Sequence, residues 1–366
     1  MYIHELHDWP NLSWDKSELS RLLADVRHLQ GKLLGRMESL GFDLRNEAAL
    51  KTLTYDVIKT SEIEGEKLDV EQVRSSIAIR LGMDIGVSTP ATRDVEAIVE
   101  VMLDATTKYD TPLTKERLFD WHAALFPTGR SGMQRINVGA WRDESGGVMQ
   151  VISGPIGKEK VHYEAPTFDR LDKEMERFLI WFNAVDEEDL VIKAALAHFW
   201  FVTIHPFDDG NGRIARAIAD MTLARSEQSS QRFYSMSSQI QKERKEYYNV
   251  LESCQKKGLD ITQWIEWFLS CLKHAINASE EMLETVLIKA RFWENNASKS
   301  FNERQRLLVN RLLDGFEGKL TSSKWAKIGK CSPDTALRDI TSLLEQGILQ
   351  KDKAGGRSTS YSLIIS

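Results

Sequence analysis

Proline and cysteine are both scarce in this chain, with eight of one and three of the other in 366 residues. So few prolines, alongside 42% hydrophobic and 28% charged residues, leave no stretch that composition marks as disordered or as a Pro-rich linker. The cysteines, Cys254, Cys271 and Cys331, stand far apart and form no C-x-x-C pair. That argues against a disulfide framework and against a cysteine zinc site. Long apolar runs are lacking too. The longest, Ala194 to Ile204, is interrupted by His198 and falls well short of the ~20 residues of a bilayer-spanning helix, so no membrane association is expected. The first residues place His4, Glu5, His7 and Asp8 where a secretory leader carries basic and then apolar residues, and the expectation is a cytoplasmic protein with reduced thiols.

The length exceeds one ordinary core and predicts two or three domains. Charge supports a division. Residues 295 to 366 hold 12 Lys and Arg against 7 Asp and Glu, a net +5, so residues 1 to 294 carry -11 of the overall -6. A basic module therefore follows an acidic body.

Apolar residues recur at three and four positions almost throughout, and strand-like alternation is rare, which predicts an all-α fold. Asn46 to Glu64 reads as a helix with Leu50, Leu53, Val57 and Ile58 on one side, stopped by Gly65. Asp69 with Gln72 resembles a capping box opening the next helix, which ends near Leu81 and Gly82. Further helices are expected over Ala91 to Thr107, Thr114 to Leu125 and Phe168 to Ala184. Asp189 to Ile204 is apolar nearly all round, the mark of a buried central helix. One clear non-helical island, Gly146 to Pro166, reads as a hairpin or flap around Ser153-Gly154-Pro155-Ile156-Gly157. From Asn302 the pattern gives three helices, Ile348-Leu349, a Gly355-Gly356 turn and Tyr361 to Ile365, which looks like a winged helix-turn-helix with Ser332 as N-cap and Pro333 at the first helical position. The expected domains are thus a helical region over 1–90, a catalytic body over 91–290 and the winged module over 295–366.

The segment His205-Pro206-Phe207-Asp208-Asp209-Gly210-Asn211-Gly212-Arg213-Ile214-Ala215-Arg216 carries the chemistry. It joins the buried helix to a second helix expected to begin near Arg213. Gly210 and Gly212 free the backbone to point successive N–H groups inward, an anion nest at a helix N-terminus. Arg213 and Arg216 share one face in the first turn, where the helix dipole disfavours cations unless a polyphosphate is bound. Asp209 is placed to hold a magnesium ion against phosphates. His205 is the nearby side chain suited to accept a proton near neutrality. Each letter alone fits an ordinary turn, but five polar types and two glycines at fixed offsets have little reason to coincide there. Spaced acidic calcium ligands and a P-loop are both missing.

The segment resembles the motif of the Fic family, H-x-F-x-[DE]-G-N-G-R-x-x-R, at every fixed position. The resemblance implies a helical core that binds ATP with Mg2+ and attaches AMP to a Ser, Thr or Tyr hydroxyl of a protein, another or itself. By that resemblance His205 is the base, Asp209 the metal ligand, Gly210 to Gly212 with Asn211 the anion hole, Arg213 and Arg216 the phosphate grip with Ile214 and Ala215 between them, and Phe207 a packing anchor. The flap would clamp an extended target segment by main-chain pairing. Thr60-Ser61-Glu62-Ile63-Glu64-Gly65 fits the family's inhibitory pattern [ST]-x-x-x-E-[GN], in which Glu64 pairs with Arg216 in place of the γ-phosphate. Tyr248 and Gln255 fall where similar proteins wall the adenine. Two other readings stand beside AMP transfer: removal of AMP from modified proteins, and a DNA-binding regulator with a nucleotide-sensing core. For DNA, the expected recognition helix has Arg338 but also Asp334, Asp339 and Glu345, and the wing residues Lys351, Lys353 and Arg357 are the better basic patch. The C-terminal module equally fits protein contact or a homodimer.

Overall fold

The computed structural model describes residues 1–366 except 86, 87, 156, 186, 314, 317, 353–358, 365 and 366. Fourteen helices are described: α1 (Lys16–Glu38), α2 (Phe42–Ile63), α3 (Val70–Arg80), α4 (Arg93–Thr107), α5 (Lys115–Leu125), α6 (Leu171–Asn183), α7 (Leu190–Ile204), α8 (Asn211–Glu227), α9 (Met236–Lys242), α10 (Arg244–Lys256), α11 (Thr262–Asn295), α12 (Glu303–Leu313), α13 (Ser322–Ile328) and α14 (Pro333–Glu345). Among the described residues, strands form three two-stranded antiparallel ladders: β1 (Arg130–Ser131) with β2 (Gln134–Arg135), β3 (Gln150–Ser153) with β4 (Lys160–Glu164), and β5 (Leu349–Lys351) with β6 (Tyr361–Leu363). The fold is therefore all-α as expected, although the flap is not the only hairpin. The small one at Arg130–Arg135 had no sequence signal, because two-residue strands are too short to show alternation.

Local chemistry sets the helix starts. Asp15 opens α1 by accepting from Ser17 N at 2.8 Å and Glu18 N at 3.0 Å, and Asp69 opens α3 by accepting from Gln72 N at 3.0 Å. Thr114 caps α5 on Arg117 N, and Ser332 caps α14 on Thr335 N with Pro333 in the first turn. Such caps each contribute about 1 kcal/mol.

Two compact units pack the chain, Met1–Leu40 with Ala49–Ser279 and Gly41–Ala48 with Glu280–Ser366. Residues 1–40 and 49–90 thus share a unit with the helices that follow. In the first unit α7 is buried from Val191 to Ile204 and packs against α6 and α8, while α8 also meets α4 and α5. Trp264 of α11 is fully buried and donates its indole N–H to Ala195 O at 2.8 Å. Phe178, Phe199, Phe201 and Phe207 are equally buried around α7, each contributing roughly 1.5–3 kcal/mol by burial. In the second unit Trp325, Leu308, Ile340, Leu343 and Ile348 form a core between α12, α13, α14 and the β5–β6 ladder. The turn Gly355-Gly356, the wing residues Lys353 and Arg357, and Ile365 lie outside the described residues. Among the described residues no helix is long and apolar enough to cross a membrane.

Candidate active site

α7 ends at His205, which takes a left-handed conformation with φ 51°. Arg142 holds this corner from outside the motif. It is buried, its backbone N–H donates to Pro206 O at 2.9 Å, its Nε donates to His205 O at 2.8 Å and its Nη2 donates to Pro166 O. Nothing in the sequence singled out Arg142. Phe207 is fully buried and stacks on His122 with centroids 4.1 Å apart and planes at 6°.

The His205 ring places Nδ1 3.1 Å from Val202 O. A carbonyl only accepts, so Nδ1 carries the proton and a neutral ring leaves its lone pair on Nε2. Burial lowers the His205 pKa to about 4, against the raising effect of the Val202 bond, so the ring is neutral at physiological pH.

α8 starts at Asn211, two residues ahead of the expected Arg213. The Asn211 side chain is the reason: its Oδ1 accepts from Phe207 N at 3.0 Å and its Nδ2 donates to Phe207 O at 2.8 Å, bracing the loop across four residues. Gly210 sits at φ 81°, and a Cβ there would meet the Phe126 ring at 2.9 Å. Asp209 accepts from Gly210 N and from the Ser131 hydroxyl, and Asp208 accepts from Asn137 N at 2.8 Å. Ile214 and Ala215 are fully buried, so their side chains serve the core.

The first turn of α8 leaves N–H groups without intrahelical partners and favours an anion there. A carboxylate stands beside that turn. Glu64 Oε1 lies 2.6 Å from Arg216 Nη2 and fills the position a Cβ on Gly212 would take. Thr60, fully buried one turn earlier on α2, accepts from Arg216 Nε through Oγ1 at 2.7 Å and from Nη2 through its carbonyl at 3.0 Å. Burial disfavours the Arg216 charge, and the Glu64 carboxylate more than restores it, holding its pKa above the ordinary value. The third nitrogen, Nη1, is buried with no hydrogen-bond partner among the described residues.

The turn after α2 aims a second carboxylate that sequence reasoning missed. Glu66 N donates to Ser61 O and Gly65 N to Glu62 O, both at 3.0 Å, with Gly65 at φ 88°. These bonds make a Schellman motif, which requires the left-handed glycine. Beyond it Glu66 accepts from Arg213 Nη1 at 3.1 Å and 3.2 Å. The Arg213 guanidinium lies 5.0 Å over the Phe126 ring. The one available signal was an acid immediately past a helix-stopping glycine.

A cavity of about 820 Å3 gathers His205, Asp208, Asp209, Asn211, Gly212, Arg216 and Glu64, with strand β3 on one side and α10 on the other. Tyr248 and Gln255 both line it. Tyr248 is half-exposed beneath the Arg244 guanidinium, 5.6 Å from its ring, and the Gln255 amide donates to Thr203 Oγ1 at 3.2 Å. Thr60, Gly210, Arg213, Ile214 and Ala215 are not among its lining residues.

The Fic/DOC family model matches residues 112–223, which include the flap and the whole His205–Arg216 loop. Residues 112–223 are a Fic/DOC family domain. Upstream of this Fic domain, residues 2–83 match a domain of unknown function, DUF4172, so Thr60, Glu64 and Glu66 come from outside the Fic match. The chain is similar to the protein adenylyltransferase Fic of Nematostella vectensis, 35% identical over 115 residues, covering 31% of this chain and 25% of that protein. It is also similar to the protein adenylyltransferase Fic of Drosophila ananassae, 23% identical over 261 residues, covering 66% and 48%. The chain spans about a quarter to a half of the length of these curated relatives. Among solved structures, a Fic family protein from Desulfovibrio desulfuricans G20 superposes with TM-score 0.52 at 20% identity over 94% of this chain and 95% of that one. Fic-1 of C. elegans, residues 134–508, gives 0.51 at 20% identity over 74% of each. The first unit thus has a Fic fold.

Proposed function

We propose that the chain is a protein adenylyltransferase that moves AMP from ATP to a hydroxyl of a protein and is held inactive by Glu64. The observation that carries this reading is the neutral His205 ring in one cavity with Arg216, Gly212 and Asp209. The phosphates of ATP take the α8 N-terminus beside which the Glu64 carboxylate lies, Arg216 and Arg213 exchange their carboxylates for phosphate oxygens, and Tyr248 and Gln255 flank the base. Asp209, one carboxylate at the cavity wall, would hold Mg2+, an ion commonly bound by one or two carboxylates together with substrate phosphates, and such an ion would neutralise phosphate charge.

His205 Nε2 takes the proton of the acceptor hydroxyl as its oxygen attacks the α-phosphorus. The bond from that phosphorus to the bridging oxygen breaks, and pyrophosphate leaves. Positioning and charge neutralisation supply most of the acceleration in such transfers. The β3–β4 hairpin offers main-chain pairing to an extended acceptor segment. Glu64 blocks the reaction because ATP and its carboxylate compete for one site.

The test uses ATP labelled on the α-phosphate and the acceptor proteins of a cell extract. In a Glu64→Gly background, His205→Ala should stop labelling of those proteins while calorimetric binding of Mg-ATP stays within a few-fold. Undiminished labelling without His205 contradicts the assignment of the base.

A further inference from the structure

Three contacts at four-residue spacing join α2 to α8, which run in opposite directions along them. Glu64 lies at Gly212 and holds Arg216, Thr60 one turn back also holds Arg216, and Asp56 a further turn back acts on Asp220, one turn beyond Arg216. A spacing of four keeps each set on one helix face. The first two contacts are complementary. The third sets acid against acid inside the protein, with Asp56 5% and Asp220 2% exposed.

Two carboxylates have no hydrogen to share, and both burial and like charge oppose the second ionisation. The surroundings show which group keeps the proton. Asp56 Oδ1 accepts from the Ser235 hydroxyl and from Ser237 N at 3.1 Å, the partners of an anion. Neither Asp220 carboxyl oxygen receives a hydrogen bond from a described residue. Arg232 lies 3.0 Å from Asp220 Oδ1, but its Nη1 donates to the Asp220 main-chain O at 2.9 Å, and its charge also acts on Tyr234, Glu227 and Asp56. Burial and the Asp56 charge push the Asp220 carboxyl well above the usual carboxylate range, against the pull of Arg232. The buried residues of α4, which packs on α8, are uncharged. Those of α7 include Lys193, which donates to Ala184 O, and His198, which meets the Tyr247 hydroxyl. Asp220 is therefore the acid that donates to the Asp56 carboxylate.

We propose that the Asp56–Asp220 pair is a proton clasp on the inhibitory helix: with one proton between the two carboxyls α2 stays docked and Glu64 keeps Arg216. When that proton leaves, the two anions push α2 away and open the site to nucleotide. The inference rests on the AMP-transfer reading above, in which Glu64 excludes ATP. Docked Asp220 binds its proton more tightly than the same carboxyl in water. Docking is thus strongest in acid and weakens as pH rises, by up to about tenfold per unit between the ordinary carboxylate value of ~3.9 and the docked value.

Calorimetric titration of the full-length protein with Mg-ATP from pH 6 to pH 9 tests this. Wild-type affinity should rise by a factor of about ten or more. Asp220→Asn, whose amide donates to Asp56 without titrating, should bind weakly and almost equally across the range. Glu64→Gly should bind tightly at every pH. In the wild type without nucleotide, amides of residues 57–64 should lose protection from hydrogen exchange between pH 6 and pH 9, measured against the unstructured rate at each pH, while those of α7 keep theirs. Wild-type affinity and protection that do not change with pH, or a rise in affinity that persists in Asp220→Asn, overturn the clasp and leave inhibition by Glu64 standing. No binding of Mg-ATP by Glu64→Gly at any pH overturns the nucleotide reading and this inference with it.

Discussion

Glu64 and Arg216 meet at 2.6 Å with the arginine almost wholly buried and the carboxylate about one-third exposed. The pair joins the end of α2 to the first turns of α8, and its removal has a structural consequence separate from activity. Glu64→Gly takes the carboxylate partner from the buried Arg216, so the unliganded variant should lose ~1–3 kcal/mol of unfolding free energy. Mg-ATP should return most of it, since phosphate restores a partner to the arginine. Denaturant unfolding with and without nucleotide checks this, and an equal loss in both conditions counts against a shared site.

Glu66 acts on Arg213 from a more open position, its side chain 48% exposed. Exposed pairs are worth ~1 kcal/mol or less, which corresponds to a factor of about five at most. Glu66→Gln should therefore raise the initial rate of AMP labelling a few-fold, and should add to Glu64→Gly. No change in either background contradicts a second restraint.

The His205 ring is expected to be neutral at pH 6 with its proton on Nδ1, because burial has moved its pKa to about 4. The sign matters for stability as well. The folded pKa lies below the unfolded value of ~6.5, so this group's contribution is full above 6.5 and is lost as pH falls towards 4. Nitrogen chemical shifts of labelled histidine in the wild-type protein report both charge and tautomer. A protonated ring at pH 6 contradicts the assignment.

Gly210→Ala should destabilise the chain by ~1–2 kcal/mol, the cost of an L residue held in the left-handed region. The added methyl also meets the Phe126 ring, and Arg213 packs on that same ring. Thermal unfolding is the measurement, and a midpoint equal to wild type means the loop does not depend on this backbone geometry.

The C-terminal unit is expected not to bind duplex DNA through α14. Asp334, Asp339 and Glu345 lie on that helix beside Arg338, and Asp339 is engaged by Arg304 at 3.0 Å. Affinity for DNA rests on phosphate neutralisation. A gel shift titrated with salt should show no complex, and one whose affinity falls steeply with salt contradicts this.

What the sequence made legible followed from local chemistry. The apolar run of α7, the caps at Asp69 and Ser332, and the glycine stop after α2 are all written within a few residues of where they act. The His205–Arg216 loop was readable for the same reason. Arg142 and Glu66 were not, because their meaning lies in partners 63 and 147 positions away. The start of α8 was misplaced because a side chain, Asn211, bonds the main chain of Phe207 and so brings the helix forward.

The central claim is that Glu64 stands in the nucleotide's place. Its most direct test is the intact mass of wild-type and Glu64→Gly protein after incubation with Mg-ATP. A gain of one or more adenylyl groups is expected, at least tenfold faster in the variant. No gain in the variant with any common nucleoside triphosphate contradicts it, and gives the weight to removal of AMP or to nucleotide sensing.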